Sequence, residues 1–280
     1  MPARFWQVRG RRLSLAEPLV MGILNVTPDS FSDGGRFVDA DKAVKHAIAM
    51  VKDGADIIDV GGESTRPGAA PVPEDMELAR VIPVVKRLAR RGIVVSVDTS
   101  SPRVMREALD CGAAIINDVR SFTRPGALRA VAGTGAGVVI MHMQGDPRTM
   151  QNDPRYDDVT AEVLAFLAVQ DARLLSAGIP EECICWDPGF GFAKNVEHNF
   201  KLLADTEKLA SYERPVLVGL SRKSSIGIVT GIKKPEERVH GSVAAHLLAV
   251  LKGASVLRVH DVRAMRSALD VLKAMRQAKG

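Results

Sequence analysis

The amino-acid sequence predicts an α/β fold: a (β/α)8 TIM barrel with an N-terminal β-hairpin at the bottom of the barrel. Three observations lead to this prediction. Short runs rich in Val, Ile and Leu recur eight times, amphipathic helical segments alternate with them, and a length of 280 residues suits one barrel. Since no Pro- or Ser-rich linker divides the chain, we expect residues 1–280 to form a single domain.

The eight apolar runs have the composition of parallel strands, which are buried on both faces and therefore lack a polar alternation. Two short extended pieces around an Arg-Gly turn, in the stretch FWQVRGRRLSL, precede the first run and predict the hairpin. The predicted strands cover residues 19–24, 55–61, 93–98, 113–118, 137–142, 183–187, 215–221 and 255–260.

Segments with helical periodicity separate these strands, and several end in glycine, the residue most common just beyond a helix C terminus. Examples are residues 39–54, 74–92, 101–112 and 157–178. A doubly wound sheet is the structural alternative. Its glycine-rich phosphate turn is missing, because the stretch GTGAG precedes a predicted strand instead of following one. The barrel is therefore favoured.

Composition narrows the classes of function. With 46% hydrophobic and 25% charged residues the chain resembles a globular protein that has ample core material. We expect no membrane span, because no run of eighteen apolar residues occurs, and the N terminus does not resemble a signal peptide. The net charge of +5 comes from scattered basic residues rather than a block, so we expect no nucleic-acid partner.

The cysteines indicate a reducing compartment. Cys111, Cys183 and Cys185 are too few for a disulfide framework, so we expect a cytoplasmic protein with reduced thiols. We expect Cys183 and Cys185, which lie two positions apart in a predicted strand, to face opposite sides. This spacing favours buried thiols over a metal pair.

Every predicted strand ends in polar or charged side chains, and in a barrel of this class that edge builds the active site. An Asp after a strand can simply cap the next helix, but capping alone does not explain such residues after all eight strands. The residues are Asn25, Glu63, Ser64, Asp98, Asn117, His142, Asp187, Ser221, Arg222, Lys223, Arg258 and His260.

One group of these residues consists of hydrogen-bond acceptors. Asp98, Asn117 and Asp187 end the third, fourth and sixth strands and are expected to converge in the barrel mouth. Two ionised carboxylates kept together need donors between them. The ligand that suits them is a planar ring with several N–H groups.

A second group is cationic and suits phosphate or carboxylate oxygens. It comprises Arg66, Lys223 and Arg258, with His260 as a further candidate. We expect the two groups to lie apart across the rim. The substrate should then combine an N–H-rich ring with an anionic tail.

Eight sequence stretches carry a resemblance to a known family. They are MGILNVTPDSFSDGG, DVGGESTRPGA, VDTS, INDV, MHMQGDP, DPGFGF, GLSRKS and RVHDV. Together, and in this order, they resemble the dihydropteroate synthase family over nearly the whole chain. The resemblance implies a transferase of folate biosynthesis, the target of sulfonamides, that joins 6-hydroxymethyl-7,8-dihydropterin diphosphate to 4-aminobenzoate. It implies 7,8-dihydropteroate and diphosphate as products, Mg²⁺ as cofactor and a homodimer formed through the late helices.

The resemblance also assigns residues to three subsites. Those implied for the pterin are Asp98, Asn117, Met141, Asp187, Phe192, Gly219 and Lys223. Those implied for the diphosphate are Asn25, Arg258 and His260, of which Asn25 would also meet the Mg²⁺. Those implied for 4-aminobenzoate are Phe31, Thr65, Arg66, Pro67 and Ser224.

This substrate chemistry predicts how catalysis would work. The electron-rich pterin stabilises a cation at its methylene carbon, so diphosphate can leave before the new bond forms. Lys223, Arg258, His260 and Mg²⁺ would then stabilise the leaving group. The arylamine is neutral at pH 7 and needs no strong base, and Asp33 would stabilise positive charge or accept a proton late. The loop after Asn25 is expected to close as a lid over the diphosphate.

Three alternative functions compete with this one. A pterin-dependent methyltransferase would share the acceptor pocket but would not need the stretches STRPG, SRKS and RVHD. A glycoside hydrolase could use Asp98 and Asp187 as its carboxylate pair, but 4% aromatic residues provide little surface for sugar stacking. A non-catalytic barrel would be expected to lose rim residues, and here all the proposed ones are present.

Overall fold

The computed structural model describes residues 4–26, 36–63, 72–145 and 154–278, with the backbone alone for residues 36–39. Within these ranges eight parallel strands form a barrel, which confirms the predicted fold class. The barrel strands are β3 (Leu19–Asn25), β4 (Ile57–Gly61), β5 (Val94–Asp98), β6 (Ile115–Asp118), β7 (Gly137–Met141), β8 (Ile184–Asp187), β9 (Leu217–Val218) and β10 (Val256–Val259).

The hairpin is also present, and it covers the N-terminal ends of the barrel strands. It consists of β1 (Phe5–Val8) and β2 (Arg11–Ser14), which pair antiparallel. The fully buried Trp6 donates its indole N–H to the Cys183 carbonyl at 2.9 Å. A Cβ built on Gly137 would lie 2.6 Å from Val8, so glycine lets the hairpin approach this strand closely. The hairpin therefore seals the bottom of the barrel, as predicted.

The predicted strand over residues 215–221 is the least regular. Its ladder with β10 contains only Leu217 and Val218, and the barrel closes on the other side through an isolated parallel bridge between Trp186 and Val216. Beyond Val218 the backbone leaves the ladder, because the N–H of Leu220 is bonded to the His246 ring at 3.4 Å. The predicted strand was therefore too long.

Helices surround the barrel and occupy the predicted positions. Gly54, Gly92, Gly112 and Gly178 follow helix ends with left-handed backbone φ between 75° and 104°, which explains the glycine at each site. The helices of the described ranges are α1 (Arg36–Lys52), α2 (Glu74–Ala89), α3 (Pro102–Asp110), α4 (Ala127–Val131), α5 (Val159–Ser176), α6 (Val196–Ala204), α7 (Thr206–Ala210), α8 (Ser224–Thr230), α9 (Val239–Leu251) and α10 (Val262–Gln277), with 3-10 turns at Glu181–Cys183 and Pro235–Glu237. No helix among the described residues is both long enough and apolar enough to span a membrane.

Two layers of side chains fill the barrel interior, and the upper one forms the site. The lower layer is apolar and packs on the hairpin residues Trp6 and Val8; its barrel members include Met21, Ile57, Ile115, Val139, Cys185, Leu217 and Val256. Because side chains alternate along a strand, the residues two positions further on point the same way. These are Ile23, Asp59, Asn117, Met141, Asp187, Gly219 and Arg258. Four of these seven residues are polar or charged, whereas the barrel members of the lower layer are apolar.

Candidate active site

The strand register brings the predicted acceptors together at the C-terminal mouth. Asn25 is paired with Gly61, Gly61 with Asp98, and Asp98 with Asn117, so these positions lie at one level across four strands. Met141 and Asp187 are paired across β7 and β8. Asp98, Asn117 and Asp187 are buried, as the sequence predicted for a site deep in the mouth.

Arg258 lies among the acceptors, not opposite them. Its Nε donates to Asp59 Oδ2 at 2.7 Å and its Nη2 to Asp98 Oδ2 at 2.9 Å. Asn117 Nδ2 donates to the same Asp59 oxygen at 3.3 Å. The expectation that cations and acceptors lie apart across the rim is therefore wrong. Charge-assisted hydrogen bonds to two carboxylates stabilise the buried guanidinium, whereas an unpaired buried charge would be destabilising.

Asp59 is a site residue that the sequence prediction missed. It is fully buried, it holds both Arg258 and Asn117, and its Oδ1 has no hydrogen-bond partner among the described residues. A carboxylate inside the apolar run IIDVG was the available signal, because buried Asp residues are rarely left unpaired. Asp59 lies inside the strand, two positions before its last residue Gly61, whereas the predicted site residues were those at strand ends.

Phe192 and Met141 form an apolar wall beside these polar groups. They pack with Val119 and Ala193 in a small cluster separate from the main cores. Lys223 Nζ lies 4.3 Å from the Phe192 ring centroid, a cation–π distance. A Cβ built on Gly219 meets no described atom within 4 Å, so free space borders this glycine. The arrangement suits a flat ring with polar edges.

Burial changes the charge behaviour of the site. Desolvation raises the pKa of Asp98 to about 7, although the Arg258 guanidinium opposes the shift. Desolvation also raises the pKa of Asp187 to about 6. The N–H of Gly189, which donates to Asp187 Oδ1 at 2.7 Å, opposes this rise. Burial, with Arg258 nearby, lowers the pKa of Lys223 to about 8. These groups thus change charge closer to neutral pH than they would in water.

His260 does not add positive charge to the rim. Its backbone N–H donates to Ser221 Oγ at 3.1 Å, and its Nδ1 lies 3.0 Å from the same oxygen. Burial and the Arg258 guanidinium lower the pKa of His260 to about 3, so the ring is neutral at pH 7. Of the cationic group expected from the sequence, the described members that keep this character are Lys223 and Arg258.

The surroundings of Asn25 fit a magnesium ion held mainly by a substrate. Asn25 Oδ1 and Asp98 Oδ2 lie 3.7 Å and 3.9 Å from a Cβ built on Gly61, so both oxygens border that position. No group of three or more His, Cys, Asp or Glu side chains in the described ranges could hold a metal. Mg²⁺ usually keeps several waters and takes further ligands from substrate phosphates, so it needs few oxygens from the protein.

Part of the predicted site cannot be placed. Ser224 begins α8 directly after Lys223, beside the mouth. The other residues expected at the 4-aminobenzoate subsite, together with Asp33, lie outside the described residues; they are Phe31, Thr65, Arg66 and Pro67. Cys183 and Cys185 are buried in separate core clusters. Strand alternation does not produce this separation, because residues two positions apart in a strand face the same side. It arises because Cys183 belongs to the 3-10 turn Glu181–Cys183, while only Cys185 lies in β8.

Comparison with known proteins decides the family. The family model described as "Pterin binding enzyme" matches residues 21–260. Dihydropteroate synthase of Escherichia coli K12 is 54% identical over 272 residues, which cover 97% of this chain and 96% of the relative. The chain belongs to the dihydropteroate synthase family.

Solved structures of the dihydropteroate synthase family agree with this assignment. The Xanthomonas albilineans enzyme with 4-aminobenzoic acid has a TM-score of 0.92 and 50% identity, covering 98% of each chain. The same organism's enzyme in complex with 7,8-dihydropteroate has a TM-score of 0.87 and 45% identity, covering 98% of this chain and 99% of that one. The fold and its mouth are thus those of a family whose members bind these two compounds.

Proposed function

We propose that this chain condenses 6-hydroxymethyl-7,8-dihydropterin diphosphate with 4-aminobenzoate, giving 7,8-dihydropteroate and diphosphate. The observation that carries the proposal is the upper interior layer, in which buried acceptors and cations lie together above the apolar lower layer and the hairpin. The dihydropteroate synthase relatives covering almost the whole chain support it. Of the three alternative functions, the methyltransferase would share this pocket, so an assay must distinguish it from dihydropteroate synthesis.

The pterin would bind between the acceptors and the apolar wall. Asp98, Asn117 and Asp187 would accept its ring N–H groups, and Lys223 would donate to its ring carbonyl or nitrogen. Met141 and Phe192 would cover one face of the ring, while Gly219 leaves room beside it.

The diphosphate would lie nearer the rim. Arg258 and Lys223 would donate to its oxygens, and neutral His260 would donate through its Nε2–H. Asn25 would be the protein ligand of Mg²⁺, which when bound supplies additional neutralisation of the diphosphate charge. As the carbon–oxygen bond breaks, negative charge grows on the leaving group, and donors already oriented toward it lower the barrier.

The arylamine then forms the new carbon–nitrogen bond with the methylene carbon and loses a proton. We place its carboxylate near Ser224, Thr65, Arg66 and Pro67, its ring near Phe31, and Asp33 as the group that stabilises positive charge or takes the proton. The neutral amine has a free lone pair at pH 7, so this placement requires no strong general base.

The direct test is release of diphosphate from the pterin diphosphate with Mg²⁺, with and without 4-aminobenzoate. Release that depends on 4-aminobenzoate and matches dihydropteroate formed one to one is expected. Absence of both products from a folded sample, combined with transfer of a folate methyl group to a corrinoid, would replace the proposal with the methyltransferase alternative.

Affinity for a pterin that lacks the diphosphate should fall as pH drops from 8 to 5. An ionised carboxylate accepts N–H bonds strongly, whereas a protonated one accepts more weakly and turns an O–H toward the donors of the ring. The pKa of Asp98 is about 7 and that of Asp187 about 6. Both belong to one site, so the profile will report values for the pair. Calorimetry with the bare pterin avoids titration of the substrate's own phosphate. Equal affinity at pH 5 and pH 8 would remove both carboxylates from the pterin subsite.

We also propose a homodimer formed through the late helices. α8 packs beside α9, and α9 packs beside α10. These three helices expose large apolar side chains, namely Ile228, Val229, Leu248, Leu251, Val271 and Met275. Large apolar side chains exposed on adjacent helices favour an interface, and a second copy presenting the same three helices would cover them.

Leu248→Glu should therefore convert a dimer to a monomer. Leu248 is 52% exposed, so the monomer tolerates the carboxylate of the new Glu side chain. In a dimer the same carboxylate would face the apolar surface of the second copy. Sedimentation equilibrium measures the change. Val169→Glu is the matched control, because Val169 is 64% exposed on α5, away from this face. A monomeric unmodified protein would contradict the proposal outright.

A further inference from the structure

Lys194 is a buried lysine with no role in the site described above. Lys194 is only 3% exposed, and no carboxylate in the described ranges forms a salt bridge with it. Instead its Nζ lies 2.9 Å from His142 Nδ1, 3.0 Å from the Gly189 and Phe192 carbonyl oxygens, and 3.3 Å from the His142 carbonyl oxygen. A buried ammonium is costly unless hydrogen-bonded, and this one has four acceptors around three protons.

His142 serves as one of these acceptors. Because an ammonium donates, His142 Nδ1 must be unprotonated and the ring must carry its proton on Nε2. Burial and the positive charge of Lys194 lower the pKa of His142 to about 3, in agreement with a neutral ring. The ring is fixed by an edge contact with Phe166, with centroids 5.1 Å apart.

The other acceptors belong to the loop of residues 188–193, which follows β8. Gly189 donates to Asp187 Oδ1, and Phe192 lies beside Lys223, so this loop borders two residues of the proposed pterin subsite. Its backbone has left-handed φ at Gly189 (72°), Gly191 (76°) and Ala193 (49°). Such a conformation is costly for alanine and persists only where the surroundings hold it.

We propose that Lys194 is a positioning residue, whose ammonium holds the 188–193 loop against the end of β7 and so fixes Asp187 and Phe192 for the pterin. The proposal rests on the proposed function. Lys194 bonds both ends of the loop's turn, while neutral His142 gives it a fixed point on the neighbouring strand. Burial lowers the pKa of Lys194 to about 7, while the nearby Asp187 carboxylate opposes this shift, so the ammonium form prevails below neutral pH.

Two pairs of variants test this. Lys194→Met removes the ammonium at similar volume, and Lys194→Arg keeps a cation. His142→Leu removes the side-chain acceptor, and His142→Gln restores an acceptor oxygen. Lys194→Met and His142→Leu should raise the KM for the pterin diphosphate at least tenfold while the KM for 4-aminobenzoate changes less than threefold. The KM of His142→Gln for the pterin diphosphate should lie much closer to that of the unmodified protein than to that of His142→Leu.

A second measurement needs no activity and therefore separates failure of this inference from failure of the proposed function. Nitrogen NMR of the unmodified protein should show His142 neutral with its proton on Nε2 between pH 5 and pH 6, where Lys194 carries its charge. A protonated ring, or a proton on Nδ1, would overturn the inference, as would folded Lys194→Met protein with an unchanged KM for the pterin diphosphate. A parallel rise in both KM values would reduce Lys194 to a general structural role. If Lys194→Met does not fold, the His142 pair and the NMR measurement still decide.

Discussion

Replacing Arg258 with methionine is expected to lower kcat/KM by about 10²- to 10³-fold, the loss typical when one oriented donor to a developing negative charge is removed. Under the proposed mechanism that charge is on the leaving diphosphate. Affinity for a pterin without diphosphate should fall much less. Steady-state kinetics and calorimetry on the same preparation give both values. If the bare pterin loses as much as kcat/KM does, Arg258 acts on the ring and not on the leaving group.

The same variant should lose stability in a pH-dependent manner. Arg258 bonds two buried carboxylates, and removing one partner of such a pair costs about 3–5 kcal/mol. Without the guanidinium the pKa of Asp98, already raised above that of an unfolded Asp, rises further. The folded variant then keeps this proton at pH values where the unmodified folded protein has released it, so the stability deficit of the variant relative to the unmodified protein grows as pH rises past about 7.

Urea unfolding at pH 5 and pH 8 measures this loss. Arg266→Met is the matched control, because Arg266 pairs with Asp56 and the Gly54 carbonyl before β4, at the opposite end of the barrel from the mouth. The free energy of unfolding of Arg266→Met should fall by at most about 1 kcal/mol, as for other partly exposed ion pairs. An Arg258→Met deficit that is no larger at pH 8 than at pH 5 would show that Asp98 does not depend on Arg258 for its charge.

Asp98→Asn should weaken pterin binding about 10- to 150-fold in a folded protein. The substitution keeps the shape but replaces a charged acceptor with a group that also donates, and one charge-assisted hydrogen bond is worth about 1.5–3 kcal/mol. Asp98 accepts from Arg258 Nη2 at 2.9 Å, so the guanidinium also loses a partner. Calorimetry with a pterin measures the change.

Asp171→Asn is the comparison for Asp98→Asn. Asp171 is also a buried Asp paired with an arginine, Arg214, and it accepts from the Trp186 indole on the outer side of β8. This variant should lose stability but not pterin affinity. Unchanged affinity in Asp98→Asn, or an equal loss in Asp171→Asn, would show that Asp98 is not a specific pterin ligand.

The fold could be predicted because buried parallel strands leave a strong local pattern. Runs such as IVVSVD and GVVIMH are apolar on both faces, and each is separated from the next by a helix of suitable length. The strand that was predicted too long, over residues 215–221, failed for a tertiary reason. The Leu220 N–H is bonded to His246, a residue 26 positions away, and nothing local in the stretch GLS signals that partner.

Positions in the site could be predicted, but pairings could not. Residues at strand ends converge by topology alone, which is why Asp98, Asn117 and Asp187 were found together. The bridge from Arg258 to Asp59 and the contact of Lys194 with His142 depend on which long side chains reach across the mouth. No local pattern singles out Lys194, because its burial is a property of the packed structure.

Neighbouring strands of the barrel share ladders of two to five residue pairs, but in the described residues β8 and β9 are joined through one isolated bridge. Each backbone hydrogen bond contributes about 0.5–1.5 kcal/mol, so this junction is the part of the barrel wall that separates at the lowest free energy. Asp187 ends the strand on one side of it, and Gly219 and Lys223 follow the strand on the other. A pterin bound to Asp187 and Lys223 would connect the two strands that the backbone connects least. The substrate would then complete the wall of the barrel as well as occupy its mouth.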